Sequence, residues 1–452
     1  MALNPEEMNR RRERREAQRK QQEKERRRLK LTLIAACVVL ALCAFAIFSI
    51  AQGASQARAN VSAELSAVPE TTAATIQAQT VATTEAPRSN TPTNTVIHLR
   101  AAGDLNVTNA VVQSGLSVNG FDFTDAIMDV AAELSCGDVT VLNLEGNICG
   151  EPYGTISASA PRELVTALRN AGVDLVQLAN SYTVNNGIIG LNQTLQQLRS
   201  AGIEPMGAYA NDQDYRSAKG YTICNVQGIR VAFVAFTKGL GGMGMPAGNE
   251  NCVNLLYEDY DSTYKTVDTK KITAILDNVA AEKPDLVVAM LHWGSENSEN
   301  ITTSQEKIIS LLQKKGVNVI LGTHPHLLQK ITFDQMAGTL VAYSLGDFLG
   351  DATHDGTNYS IILDVEITKY ADSGVTKVTG FSYVPIYTVK DTECIAIRQE
   401  GARRVLRIRE AMEAYDGNFV DRITADAYAK MEKALTRIEE RIQGKSQTTT
   451  TK

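Results

Sequence analysis

The chain has 452 residues, of which 44% are hydrophobic and 21% charged, as in a globular protein with at least one sizeable core. Its formal net charge is −6, but residues 1–30 carry twelve Arg or Lys and six Glu, so the rest carries about −12. Because nucleic-acid binding needs a basic footprint, this charge distribution argues against a nucleic-acid partner for the acidic part.

The amino-terminal region predicts a membrane anchor. Residues 31–51 contain only two polar side chains and no charge, and about 21 such residues are enough for one helix to cross a bilayer. The basic arm, residues 1–30, places the amino terminus in the cytoplasm and can touch anionic lipid. A cleavable signal peptide is the alternative, but its apolar core and leader would both be unusually long.

Residues 52–95 are rich in Ala, Thr and Ser and have almost no bulky hydrophobic side chain, which predicts a disordered linker. Five of the seven cysteines follow it, and the absence of CxxC spacing argues against a zinc knuckle. Cys136–Cys149 and Cys224–Cys252 are possible disulfides by proximity alone, and buried thiols are the alternative.

Seven apolar runs predict strands that are buried on both faces: residues 95–104, 138–146, 173–180, 229–237, 285–294, 317–326 and 340–347. Helical patterns lie between them, which favours an α/β fold with a largely parallel sheet. Residues 358–369 and 375–390 alternate apolar and polar side chains, as antiparallel strands do. We expect a folded domain over 96–395, a helical segment over 396–445 and a disordered tail over 446–452.

Polar side chains stand where these strands end, at the edge where α/β folds bind ligands. They are Asp104, Glu145, Asn180, His292, His324, His326 and Asp347. Carboxylate, amide and imidazole groups together suit a divalent ion such as Zn, Mn, Fe or Mg. Two such ions about 3.5–4 Å apart can clamp a phosphoryl oxygen. Each residue alone has a simpler explanation as a turn former or a hydrogen-bonded His.

The order of these motifs resembles the capsule-synthesis protein CapA family. The motifs are Gly-Asp at 103–104, Asn-Leu-Glu at 143–145, His-Trp-Gly at 292–294, Gly-x-His-Pro-His at 322–326 and Ser-Leu-Gly-Asp-Phe at 344–348. The resemblance implies a four-layer α/β/β/α metallophosphoesterase-like sandwich with a dinuclear metal site. It implies Asp104, Glu145, Asn180, His292, His324 and His326 as ligands, and a bacterial, single-pass membrane location with the domain outside.

Two positions depart from the family pattern. Tyr182 stands where the family has a His that stabilises the transition state, and Asp347 stands where it has Asn. Two functions are therefore open, beside the simpler interpretation of an envelope protein whose site has decayed. One is a metal-dependent hydrolase or transferase acting on an anionic, poly-γ-glutamate-like polymer, with His292 at the reaction and Tyr182 or Glu296 handling the proton. The other is a non-catalytic polymer-binding module; under either, capsule-synthase membrane proteins are expected partners.

Overall fold

The computed structural model describes residues 93–417 and 423–445, all within one compact unit, Ser89–Lys452. None of the helices in these two ranges is both long and apolar enough to cross a membrane. The predicted arm (1–30), span (31–51), nearly all of the linker (52–95) and the tail (446–452) lie outside the described residues.

The described residues form sixteen strands. In chain order they are β1 (Thr95–Asn106), β2 (Leu116–Ser117), β3 (Gly120–Phe121), β4 (Val139–Glu145), β5 (Leu175–Gln177), β6 (Glu204–Met206), β7 (Thr222–Val226), β8 (Ile229–Thr237), β9 (Leu286–His292), β10 (Val319–Thr323), β11 (Ile331–Asp334), β12 (Thr339–Ala342), β13 (Asp347–Leu349), β14 (Tyr359–Lys369), β15 (Thr376–Lys390) and β16 (Arg403–Arg407). All seven apolar runs contain strands, so that prediction is confirmed.

Helices lie between seven pairs of successive strands in the described ranges, and two more follow β16. They are α1 (Asn109–Ser114), α2 (Thr124–Ser135), α3 (Glu163–Asn170), α4 (Gly187–Ser200), α5 (Asp212–Ala218), α6 (Thr269–Ala281), α7 (Thr303–Lys314), α8 (Ile408–Asp416) and α9 (Ala425–Ile442). Helix α7 begins at a capping box, in which Thr302 and Gln305 bond each other's backbone N–H groups. Such caps satisfy amide donors that the first helical turn leaves without partners.

Two mixed sheets form the centre of the domain. The first runs β16-β15-β14-β1-β4-β5-β6, with β13 beside β1, and the second runs β11-β12-β10-β9-β8-β7. Strands β1, β4, β5 and β6 are parallel to one another, and so are β8, β9, β10 and β12. The carboxyl ends of several buried strands therefore lie at one edge of each sheet, which confirms the α/β class.

Side-chain alternation explains how the second sheet is buried on both faces. In β8, Val231, Phe233 and Ala235 belong to the large core that also contains the first sheet. The intervening Val234 and Phe236 belong to a second core, formed with the apolar sides of α6 and α7. A strand exposes alternate residues to opposite faces, so one run of apolar residues serves both cores.

The carboxyl-terminal segment is more varied than its helical pattern predicts. Arg403–Arg407 forms β16, an edge strand paired antiparallel with β15, because the open edge of β15 supplies backbone hydrogen-bond partners. The expected helical segment therefore begins with a strand, and α8 and α9 follow. From α9, Arg441 donates to the Leu328 carbonyl and pairs with Glu299. This helix thus contacts the loop that follows β10.

The cysteines beyond the predicted span are thiols. Cys136, Cys149, Cys224, Cys252 and Cys394 are all free, with Cys252 and Cys394 buried. Neither pairing suggested by sequence proximity is formed, and the buried-thiol alternative holds for these two residues. Burial raises the pKa of the Cys252 thiol to about 11, so it behaves as a small apolar side chain.

Gly322, in the middle of β10, allows two backbones to approach each other closely. A Cβ added there would lie 1.9 Å from the Tyr343 carbonyl oxygen and 2.6 Å from Nε1 of Trp293. The Trp293 Nε1–H donates to that same carbonyl at 2.9 Å, so the arrangement cannot shift without losing a buried hydrogen bond. Glycine is therefore required two residues before His324.

We expect Gly322→Ala to lower the free energy of unfolding by at least about 2 kcal/mol, because the added methyl group overlaps backbone atoms. Gly244→Ala is the matched control, since a Cβ there would meet nothing within 4 Å. Urea unfolding of the purified full-length chain measures both changes. Equal stabilities for the two variants would contradict this description of β10.

Candidate metal centre

The candidate centre lies where strand ends of the two sheets meet. Its acidic and imidazole side chains come from six places in the chain: Asp104 in β1, Glu145 at the end of β4, His292 at the end of β9, His324 and His326 just after β10, and Asp347 at the start of β13. The backbone N–H of His324 donates to Asp104 Oδ2 at 2.9 Å, which joins the two sheets directly. The convergence expected from strand ends is thus observed for these residues.

The first group of potential ligands consists of Glu145, His292 and His324, all buried. Nε2 of His292 lies 3.4 Å from Glu145 Oε1 and 3.0 Å from Ser181 Oγ. The other ring nitrogen lies 3.3 Å from Thr323 Oγ1. If Nδ1–H donates to Thr323, the Nε2 lone pair is left to accept from the Ser181 hydroxyl or to bind a cation beside Glu145.

The second group consists of Asp104, His326 and Asp347. Nδ1 of His326 lies 2.7 Å from Asp347 Oδ1 and 3.7 Å from Asp104 Oδ2. Nε2 of the same ring lies 3.9 Å from Oε2 of Glu145. Glu145 therefore directs one carboxylate oxygen to each group, so a single side chain connects them.

Backbone strain accompanies the His-Pro-His loop. His324 has a φ of 92° and His326 a φ of 58°, both in the region that favours glycine. Strain of this kind costs about 1–3 kcal/mol per residue and persists only where surrounding contacts impose it. Here the bond from His324 N–H to Asp104 supplies one such contact.

Burial and mutual repulsion govern the charges of the centre. Burial, and then the neighbouring Glu145, raises the pKa of Asp104 to about 8. Burial also raises the pKa of Asp347. The pKa of His326 is raised well above its usual range, because Asp347 and Glu145 outweigh the effect of burial. Three carboxylates cannot all be charged in this space without positive charge to balance them.

Two buried atoms of the centre have no hydrogen-bond partner among the described residues: Oε2 of Glu145 and Nδ1 of His324. An unsatisfied buried polar atom costs about 1–3 kcal/mol, and a charged one costs more. Both residues belong to the first group, and both atom types are ordinary ligands of Zn, Mn and Fe. The donor set therefore fits divalent ions, as the sequence predicts.

Two asparagine side chains form a hydrogen-bond chain that ends at Asp104. Asn143 Nδ2 donates to Asp104 Oδ1 at 2.6 Å, and Asn180 Nδ2 donates to Asn143 Oδ1 at 3.1 Å. The side-chain oxygen of Asn180, Oδ1, accepts from the backbone N–H of Tyr182 at 3.0 Å. Asn180 is thus linked to Asp104 through Asn143 by two hydrogen bonds. Its own role as a metal ligand stays a prediction.

The two residues expected to handle protons, Tyr182 and Glu296, differ in their exposure to solvent. Glu296 is exposed and lines a cleft of about 260 Å³ together with His324 and Lys238. Tyr182 is half-buried, and burial, then Glu145 and Glu296, raises its pKa above 10. Tyr182 is therefore a hydrogen-bond donor at neutral pH, and Glu296 is the better placed of the two to exchange a proton.

Several residues of the centre were not among the predicted ligands. Asp347 carried the same signal as the others, since it ends the apolar run 340–347. Ser181 and Thr323, which contact His292, are common turn and strand residues without a distinctive pattern. Lys238 directly follows β8, but it lies just beyond the apolar run, which ends at Thr237.

Residues 98–352, more than half of the chain, match the family model described as Bacterial capsule synthesis protein PGA_cap. The chain belongs to this PGA_cap family. The resemblance based on the His-Trp-Gly and His-Pro-His motifs is therefore confirmed, and every residue of both groups lies within the matched range.

Two curated relatives are CapA proteins. The capsule biosynthesis protein CapA of Bacillus anthracis is 30% identical over 212 residues, which cover 47% of this chain and 48% of the relative. The PGA biosynthesis protein CapA of Bacillus subtilis strain 168 is 25% identical over 259 residues, which cover 57% of this chain and 61% of the relative. The PGA_cap chain thus spans about half to three fifths of these relatives.

Among solved structures, similar chains are more distant in sequence. The calcineurin-like phosphoesterase YfkN from Bacillus subtilis is 13% identical, with 78% of this chain and 100% of that chain covered and a TM-score of 0.39. The 5′-nucleotidase from Candida albicans SC5314 is also 13% identical, with 77% and 58% covered and a TM-score of 0.37.

In metal-free protein, we expect the free energy of unfolding to fall as the pH rises from about 6.5 to about 8, above the range in which the lowered pKa of His324 acts in the opposite direction. Folded Asp104, with its pKa raised from 3.8 to about 8, keeps in this range a proton that the unfolded state has already lost at lower pH. His326 acts in the same direction, since its stabilising contribution is complete below about 6.5 and is lost as the pH passes its raised folded pKa.

Urea unfolding in the presence of a chelator, repeated across this pH range, measures the effect. Asp104→Asn should flatten the dependence, because the amide does not titrate. A stability that rises with pH in the chelated wild type would contradict the charge distribution described for the centre.

Proposed function

We propose that this PGA_cap chain takes part in the synthesis, export or attachment of an anionic, poly-γ-glutamate-like capsule polymer, as a metal-dependent hydrolase or transferase. In this proposal, residues 31–51 anchor the chain in the bacterial cell membrane, and the folded domain lies outside the cell. Capsule-synthase membrane proteins would be its partners. Family membership and the printed names of the two CapA relatives support the process.

The observation that carries the catalytic part is the position of Glu145. Its two carboxylate oxygens lie toward His292 and His326, in two adjacent groups of potential ligands. Asp104, His326 and Asp347 would hold one divalent ion, and Glu145, His292 and His324 the other. Such ions supply Lewis-acid polarisation of a substrate oxygen when bound.

The chain's own residues orient the reacting groups. Thr323 fixes the ring of His292, and Asp347 fixes the ring of His326 at 2.7 Å. In hydrolysis, the oxygen of water bonds to the carbonyl carbon or phosphorus while the bond to the leaving atom breaks. The proton released by water reaches the leaving atom through Glu296, the exposed carboxylate at the cleft. In transfer, an acceptor hydroxyl or amine replaces water.

One observation favours the second candidate, a non-catalytic module that grips the polymer through bound cations. Burial raises the pKa of Tyr182, which stands at the family's His position, so this residue cannot donate a proton readily near neutral pH. The acidic chain would repel a polyanion unless cations lie between them. Metal would then be needed for binding without turnover.

The test uses the purified full-length chain with Mn²⁺ or Zn²⁺ and γ-linked glutamate polymer, whose length is followed by mass spectrometry. We expect the wild type to shorten the polymer or transfer its ends. His326→Ala should lower the rate at least about 100-fold, because it removes a potential ligand of the second group that also lies beside Glu145 of the first group.

His98→Ala is the matched control, because His98 also pairs with a carboxylate, Asp364, at 3.1 Å, but outside the centre. It should keep the wild-type rate. Metal-dependent polymer binding without shortening or transfer would establish the second candidate. Absence of both binding and turnover in the metal-loaded wild type would contradict both.

A further inference from the structure

The cleft beside His324 contains a cationic side chain that the centre itself does not use. Lys238 follows β8, and its backbone N–H donates to the His292 carbonyl at 2.8 Å, so its position is fixed relative to the centre. The cleft of about 260 Å³ is lined by Lys238 together with Ser181, Tyr264, Glu296 and His324. A ligand in this cleft would therefore touch both Lys238 and a candidate metal ligand.

The ammonium group of Lys238 is held in place but keeps free donor capacity. Nζ donates to the Gly294 carbonyl at 2.7 Å and lies 4.7 Å from the centre of the Tyr264 ring. An ammonium has three N–H donors, and one of them is accounted for by this bond. Among residues 93–417 and 423–445, no carboxylate forms an ion pair with Lys238.

Tyr264 keeps the ammonium group at the cleft. Its ring contacts Tyr257 edge-on, with centroids 6.1 Å apart, and a Cβ added at Gly239 would lie 2.8 Å from it. Packing therefore fixes the ring against the segment that carries Lys238. A cation over an aromatic face is stabilised without being neutralised, so it can still attract an anion.

We infer that Lys238 is a specificity-determining residue, which binds an anionic oxygen group of the substrate, carboxylate or phosphate, in the cleft beside His324. The inference rests on the proposed function for the nature of the substrate. In a γ-linked glutamate chain, each residue carries a free carboxylate near the bond between residues. Lys238 would bind that carboxylate while the neighbouring bond faces the centre.

The test measures binding, so it does not depend on turnover. Calorimetry with the full-length chain and Mn²⁺ compares a γ-linked glutamate oligomer with its neutral methyl ester, and inorganic phosphate serves as a second probe. The wild type should bind the acid more tightly than the ester. In Lys238→Met, the ratio of the affinity for the acid to the affinity for the ester should fall at least about tenfold. This is the usual effect of losing a hydrogen bond to a charged group.

Lys330→Met is the matched control. Lys330 also lies 4.7 Å over a tyrosine ring, that of Tyr343, but does not line this cleft. It should keep the full preference for the acid. Lys238→Arg, which retains the positive charge, should recover most of the preference that Lys238→Met loses. Metal content is measured for each variant, because bound ions also attract anions.

The outcomes separate this inference from the proposed function. A preference that survives in Lys238→Met at equal metal content would overturn the inference, and so would equal affinity of the wild type for acid and ester. A loss confined to Lys238→Met supports it, even if no variant cleaves the polymer. Of the two probes, the one whose binding falls in Lys238→Met identifies the anion as carboxylate or phosphate.

Discussion

The structure depends on the burial of three carboxylates against three imidazoles at the meeting point of two sheets. Asp104, Glu145 and Asp347 are each at most 5% exposed. Removing such groups from water costs several kcal/mol each, and hydrogen bonds alone recover only part of that cost. The raised pKa values of Asp104 and Asp347 reflect this cost, because a buried carboxylate without a nearby positive charge is more stable when it is protonated. Bound cations would remove the need for those protons.

The fold keeps these groups together through backbone contacts as much as through side chains. The amide of Asp104 donates to the Gly346 carbonyl at 2.9 Å, and the Asp104 carboxylate accepts from the amide of His324. A Cβ at Gly103 would lie 1.8 Å from the Gly346 carbonyl oxygen. Loops from distant parts of the chain are thereby placed within hydrogen-bond distance. The same contacts impose the left-handed conformation of the His-Pro-His loop, so local strain is balanced by the assembled centre.

Much of the fold could be predicted from the sequence because continuous apolar runs of β-branched residues have few alternatives to buried strands. The strand-end rule then grouped Asp104, Glu145 and the three imidazoles without any coordinates. The strand Arg403–Arg407 could not be predicted, because its charged flanks suit a helix and its pairing depends on the open edge of β15. Tertiary context of this kind overrides local propensity.

The details of the centre were less accessible. The resemblance implied Asn180 as a ligand, which stays a prediction, and it gave no sign that the Asn180 side chain bonds the Tyr182 amide and Asn143. For Asp347 and Lys238, the sequence indicated a position at a strand end but not the groups that each side chain contacts. Which atom faces which group is decided by rotamers and loop conformations, and no spacing rule encodes these. The position of Glu145 between the two groups also could not be predicted, because it depends on how β4, β9 and the loop after β10 pack against one another.

The central claim is that Glu145 connects two cation sites, and the metal content of the full-length chain tests it most directly. Elemental analysis should find about two divalent ions per wild-type chain and at most one in Glu145→Gln, which keeps the shape of the side chain but removes its charge. Glu366→Gln, outside the centre, should match the wild type. Equal metal content in wild type and Glu145→Gln, or a wild type that binds no divalent ion, would contradict the account.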